Sequence, residues 1–282
     1  MQQVEPRPMD IVSTRGLTLT GWHQAHESAR GVVVIAHGLG EHAGCYRDFA
    51  HELARKVPID VVGFDFRGHG QSPGPRGFVR HYDDLLDDLA VTLAWVKHER
   101  TDLPLFVLGH SNGGLVALRT VLERSEHAID GLIVSNPVLK LANPAAWWER
   151  LAAHVLVRVA PRVTLEAPIS PEKMTRDPAM QTQRLADPLR HRRISAPMYF
   201  GMDRGGPLVL AKAGLVTIPT LVILGGSDPV VNPQVGRDFY DRLGSTDKAL
   251  ALFPEMRHEP INELGRDHVV DAIAGWLKSR SF

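Results

Sequence analysis

Residues 104–114 read PLFVLGHSNGG, an apolar run that ends in a serine set among glycines. Two readings are open for Ser111: a turn that needs small residues, or a turn that holds up a nucleophile. Gly109-His110-Ser111-Asn112-Gly113 fits the pattern G-x-S-x-G, in which a buried strand ends, turns sharply and opens a helix. The apolar PLFVL before it and the helical GGLVALRTVLERS after it supply that setting. Small neighbours let strand and helix approach each other. The start of the helix offers free N–H groups where negative charge would develop. The context favours the nucleophile.

Working outward, similar apolar runs ending in turn residues recur at 31–38 (GVVVIAHG), 60–66 (DVVGFDF), 131–137 (GLIVSNP) and 220–226 (TLVILGG). Unbroken Val/Ile/Leu runs are what strands covered on both faces look like. Helical patterns lie between them, as in residues 82–100, where Leu85, Leu89, Leu93 and Val96 share one face. Alternation of this kind predicts an α/β fold, a mostly parallel sheet with helices on both sides. The opening IVSTRGLTLTGWHQ (11–24) reads as an antiparallel hairpin at the sheet edge. The acids Asp83, Asp84, Asp87 and Asp88 read as a solvated helix face.

One interval breaks the rhythm. From 139 to 214 no buried strand is evident and prolines are frequent. It reads as a mainly helical insertion in a core formed by 1–138 and 215–282. Asn143 and Pro144 look like an N-cap and first helical residue. Trp148, Leu151, Val155 and Val159 then form an apolar stripe at helical spacing.

A serine hydroxyl needs a base, and the base needs an orienting acid. In folds with this elbow they follow in the order Ser, Asp, His. Asp228 follows the TLVILGG strand and His258 follows the short strand ALALFP, both in loops at carboxyl ends of strands. An oxyanion hole would take the backbone N–H of Asn112, after the nucleophile. Its second donor would be the N–H of Leu39, between Gly38 and Gly40. That role accounts for the loop carrying His37, Glu41 and His42, so no metal is expected, and the pattern demands no cofactor. Asp65, Arg67 and His69 read as a hydrogen-bonded loop beside the site.

The 282 residues carry 32 Lys plus Arg and 32 Asp plus Glu. That balance gives no field to attract nucleic acid. Cys45 is the one cysteine, which excludes an internal disulfide. The start MQQVEPRPMD lacks the basic and apolar regions of a leader. No run of about 18 apolar residues suggests a membrane span. A soluble, cytoplasmic protein is expected.

Taken together, HGLGEHAGCY (37–46), GFDFRGHGQSPGPRGFV (63–79), GHSNGG (109–114), ADPL (186–189), GGSDPVVN (225–232) and RHEPINE (257–263) resemble the monoacylglycerol lipase and lysophospholipase group of α/β-hydrolases, also labelled serine aminopeptidase S33-like. The resemblance implies a cap between the sixth and seventh strands, matching the 139–214 interval. It also implies hydrolysis of single-chain esters, monoacylglycerols first, with lysophospholipids or general carboxylic esters as alternatives. A catalytically silent binding protein is disfavoured because Ser111, Asp228 and His258 are all present.

Under this reading Trp148, Leu151 and Val155 line an acyl tunnel. Trp147 and Trp148 either cover it or dip transiently into a membrane or micelle, which would make the protein peripheral there. Three positions depart from the group. Asn112 stands for the usual Met or Gln, and Cys45 for an Arg. Arg184 stands for a Tyr near the entrance, where it could pair with a phosphate.

Overall fold

The computed structural model describes residues 5–124, 129–167 and 169–281. The first four residues of the stretch examined for a leader lie outside them. The chain enters through β1 (Arg7–Val12) and β2 (Thr18–Gln24), followed by β3 (Val32–Ala36), α1 (Arg47–Lys56), β4 (Asp60–Phe64) and α2 (Asp83–Glu99). The serine turn joins β5 (Leu105–His110) to α3 (Asn112–Glu123), and β6 (Gly131–Ser135) follows. The chain then leaves the sheet through α4 (Trp147–Val159), β7 (Thr164–Glu166), α5 (Pro171–Met174), α6 (Pro178–Ala186) and β8 (Arg193–Ser195). It returns by α7 (Ala196–Ala211), β9 (Thr220–Gly225), α8 (Pro233–Arg242), β10 (Lys248–Phe253) and α9 (Arg266–Ser281).

Eight strands form one sheet in the order β1-β2-β4-β3-β5-β6-β9-β10. The β1–β2 hairpin is antiparallel at the edge, and β4, β3, β5, β6, β9 and β10 run parallel to one another. Every residue of β3, β4, β5, β6 and β9 is buried. The unbroken apolar runs therefore serve two cores at once. Val32, Val34 and Ala36 face one side with α2, α3 and α7, while Val33 and Ile35 face the other with α1 and α9. Loops at the carboxyl ends of β3, β5, β9 and β10 gather where open α/β sheets bind ligands.

The 139–214 interval divides in two. α4, β7, α5, α6 and β8 stand off the sheet, with β7 and β8 paired antiparallel. α7, in contrast, lies on α3, and its Met198, Met202 and Val209 are in the main core.

The acids of α2 correct an expectation. Asp84 and Asp88 are buried rather than solvated. Arg67 reaches from the loop after β4 to bond Asp88 at 2.6 and 2.8 Å, and the Ser13 hydroxyl donates to the same carboxylate at 2.6 Å. A helix surface facing a buried guanidinium keeps its acids without keeping its water. No helix among the described residues is long and apolar enough to cross a membrane.

Candidate active site

Ser111 has φ 53° and ψ −117°, a backbone region that a residue with a Cβ avoids. Such strain costs about 1–3 kcal/mol and persists only where the surroundings enforce it. Here they do. The Ser111 N–H donates to the Ser135 carbonyl at 2.9 Å, and the Ser111 carbonyl accepts from Val138 at 3.1 Å. A Cβ on Gly113 would lie 2.0 Å from the Ala36 carbonyl oxygen, so only glycine lets α3 approach β3 this closely.

The structure brings Ser111, His258 and Asp228 into one line. The Ser111 hydroxyl donates to His258 Nε2 at 2.8 Å, and His258 Nδ1–H donates to Asp228 Oδ2 at 2.7 Å. This tautomer follows from the carboxylate, which can only accept. Asp228 Oδ1 is held by the N–H groups of Val230 and Val231 at 2.7 and 3.1 Å. All three residues are buried. Burial alone would lower the His258 pKa. The Asp228 charge and hydrogen bond, with Glu259 and Glu41 behind them, outweigh burial and leave it raised. His110, with its ring 5.0 Å from that of His258, is lowered by burial and stays neutral.

Leu39 is half-buried in the turn after β3. The Gly38 N–H is committed to Glu41 Oε2 at 2.9 Å, whereas the Leu39 N–H has no protein acceptor among the described residues. Gly40 closes this turn at φ 73°, and its carbonyl accepts from His191 at 3.0 Å. His37 braces the turn from below, donating through Nδ1 to the Gly38 carbonyl at 2.8 Å and accepting the Phe66 N–H at 3.1 Å. Asn112 N–H opens α3, where no earlier helical carbonyl can accept it. Its side-chain Oδ1 accepts the Tyr82 hydroxyl at 2.6 Å.

A cavity of about 450 Å³ is lined by Leu39, Pro229 and Val230 near these groups and by Trp148, Ala153 and Leu156 of α4. Two expected lining residues are elsewhere. Leu151 and Val155 point to solvent, 60% and 54% exposed, and so does Val159. α4 turns its Ala152, Ala153 and Leu156 face to the cavity instead. Arg184 is also not a free cation at an entrance. Its guanidinium is tied to Glu259 and lies 3.9 Å from Glu41, beside a separate polar cavity of about 190 Å³ lined also by Cys45 and Arg190.

His42, Cys45 and Asp187 come within 4.8 Å of one another, the spacing of a metal cluster. The donors fit one poorly. His42 Nδ1 accepts the Gly44 N–H at 3.2 Å, which leaves Nε2 protonated toward Asp187 at 2.7 Å. Burial pushes the Cys45 thiol up to about 12.

The sequence reading missed Asn136. Its Nδ2 donates to the Arg257 and His258 carbonyls at 3.1 and 2.8 Å, and its Oδ1 accepts the Gly225 N–H at 2.9 Å. One amide thus ties the Asp228 loop to the His258 loop. Its position after β6, in SNP, was the available signal.

Known proteins agree with this architecture. Residues 27–265 match the family described as serine aminopeptidase, S33. The chain is 33% identical over 249 residues to an uncharacterised abhydrolase domain-containing protein of Dictyostelium discoideum, covering 88% of this chain but 26% of that protein. It is 30% identical over 251 residues to the monoacylglycerol lipase of Mycolicibacterium smegmatis, covering 89% of each. The crystal structure of Paleococcus ferrophilus monoacylglycerol lipase superposes with a TM-score of 0.82 at 27% identity, covering 99% of this chain and 100% of that one. With sequence and strand order in agreement across nearly its whole length, the chain belongs to the serine aminopeptidase S33 family and has the α/β-hydrolase fold.

Proposed function

We propose that the protein is a serine hydrolase of carboxylic esters with one acyl chain, monoacylglycerols first, working through an acyl-enzyme. The observation that carries this reading is the Ser111–His258–Asp228 relay, 2.8 and 2.7 Å long, beside an apolar cavity of about 450 Å³. Ser111 Oγ attacks the ester carbonyl while its proton passes to His258 Nε2. The Leu39 and Asn112 N–H groups hold the tetrahedral oxyanion, each such donor being worth about 3–4 kcal/mol of barrier. Collapse expels the alcohol, which takes the proton from His258. Water, deprotonated by the same imidazole, then releases the fatty acid and restores Ser111.

The segment from 139 to β8 serves as the cap, roofing the acyl cavity through Trp148, Ala153 and Leu156. The outward stripe of Trp147, Leu151, Val155 and Val159 makes transient contact with lipid aggregates. Monoacylglycerol is favoured over lysophospholipid because the Arg184 charge is already answered by Glu259.

A fluorophosphonate probe should label Ser111 and leave Ser111→Ala unmodified. That variant should lose ester hydrolysis by about three orders of magnitude or more while melting like the parent. Half-retained activity in clean Ser111→Ala protein would refute the assignment. For the head group, kcat/KM is compared on a monoacylglycerol and a lysophosphatidylcholine of equal chain length. A tenfold preference for the phospholipid, about 1.4 kcal/mol, would overturn the choice.

A further inference from the structure

Four charged side chains meet beside His258. Glu41 comes from the turn after β3, and Glu259 follows His258 in the chain. Arg184 on α6 and Arg190 in the segment before β8 approach them from the proposed cap. Glu259 Oε1 is bonded by Arg184 and lies 3.5 Å from Arg190. Glu41 Oε1 lies 3.4 Å from Arg190 and 3.9 Å from Arg184. The carboxylate side chains are 3% and 5% exposed, so water does little to screen them. Their other oxygens are occupied too. Glu41 Oε2 accepts the Gly38 N–H and the Tyr46 hydroxyl at 2.9 and 2.8 Å, and Glu259 Oε2 accepts Asn262 Nδ2 at 2.9 Å.

Both carboxylates also act on His258, favouring its protonated form. Asp228 must do so, since the relay needs an imidazolium in the transition state. Two further uncompensated carboxylates would leave the imidazole protonated before reaction, unable to accept the Ser111 proton. His110 is neutral, and Arg257 turns away to the Glu172 carbonyl. α5, whose Met174 carbonyl accepts the Glu259 N–H, carries exposed Glu172 and half-buried Lys173. Burial works against the charge of Glu41, yet Arg190 and Arg184 keep it ionised. Burial likewise opposes the Arg190 charge, which Glu259 and Glu41 restore.

We infer that Arg190 and Arg184 are positioning residues of the proposed relay: by neutralising Glu41 and Glu259 they keep a larger share of His258 as the unprotonated base that accepts the Ser111 proton. This rests on the hydrolase reading above. Because both arginines belong to the proposed cap, the base has its working strength only while residues 178–192 are docked.

The test is the pH dependence of Ser111 labelling by fluorophosphonate–rhodamine, in which the Oγ–P bond forms, fluoride leaves and the proton goes to His258. In Arg190→Gln the acidic midpoint should rise by about half to one pH unit. Labelling near the parent midpoint should then fall about threefold, with the alkaline plateau within twofold of the parent. Arg190→Lys should restore the midpoint. Glu259→Gln, which removes a negative charge and does not depend on the arginine variant folding, should move it the other way. Unchanged midpoints in both Arg190→Gln and Glu259→Gln, or a lowered plateau with no shift, would overturn the proposal. No labelling of the parent at any pH would instead overturn the hydrolase reading, and this inference with it.

Discussion

Asn136 sits at φ 42°, a left-handed conformation that asparagine tolerates better than most residues, and spends both ends of its amide on two loops. Asn136→Ala strips the Gly225 N–H and the Arg257 and His258 carbonyls of a buried partner. Stability should fall by about 1–3 kcal/mol in denaturant titration. Because the Asp228 and His258 loops then drift, kcat should fall by up to about 100-fold. Lost stability at unchanged kcat would reduce the residue to a structural tie.

Ser111, Asp228 and His258 were legible in the sequence because each follows an apolar strand in a loop of turn residues. Asn136, Glu41 and Tyr82 were not, because each works through a hydrogen bond or charge that crosses the fold. The Asn136 bond to His258 spans 122 residues and the Tyr82 bond to Asn112 spans 30. Arg184 was visible as an odd residue, but only the fold reveals the acid that answers it.

At the scale of elements, α4 illustrates the limit of periodicity. Spacings of three and four establish an apolar stripe without saying which way it faces. None of its residues is fully buried; the helix meets the cavity through Trp148, Ala152, Ala153 and Leu156 and leaves Leu151, Val155 and Val159 outside. The two faces should separate in experiment. Ala153→Phe narrows the cavity and should lower kcat/KM for long acyl esters about tenfold while sparing acetate esters. Leu151→Ser with Val155→Ser should leave soluble esters within about twofold yet weaken vesicle binding. Each exposed apolar Å² that enters lipid is worth about 25 cal/mol. Equal losses on soluble and vesicle-bound substrate would exclude a contact role for that face. The sheet was easier to read than the cap. Strands buried on both sides leave an unbroken signature, whereas the short β7–β8 pair is only partly buried and writes none.

For the whole molecule, buried histidines set the acid limit. Burial lowers the pKa of His37, His69 and His110, and takes His191 to about 4. The unfolded chain protonates the same groups near 6.5, so below that pH it binds more protons than the folded state. Stability should therefore decline from about pH 6.5 downward; the stabilisation from His258, whose pKa is raised, is already complete in that range and is lost only as pH rises. Calorimetric Tm should fall steadily between pH 6.5 and 4.5. His69→Asn, which can keep the bond to the Arg67 carbonyl, should flatten that slope, and an unaltered slope would remove His69 from the account.

The proposed cap is also fastened unevenly. Its later half is bonded to the core through His191 to Gly40, Ser195 to Gly77, Arg176 to Glu263 and Glu259 to Met174, whereas α4 packs chiefly on α7. Changes in chain length are then tolerated at opposite ends to opposite degrees. Loops around 143–146 and 160–163 accept insertions or a transplanted helix, giving a new roof and a new chain-length preference over an unchanged reaction centre. A single residue added between 187 and 195 would slide His191 off Gly40 and carry the Leu39 turn with it. Descendants of this chain can diversify their substrates by exchanging the first half of the cap, while the second half is inherited with the chemistry.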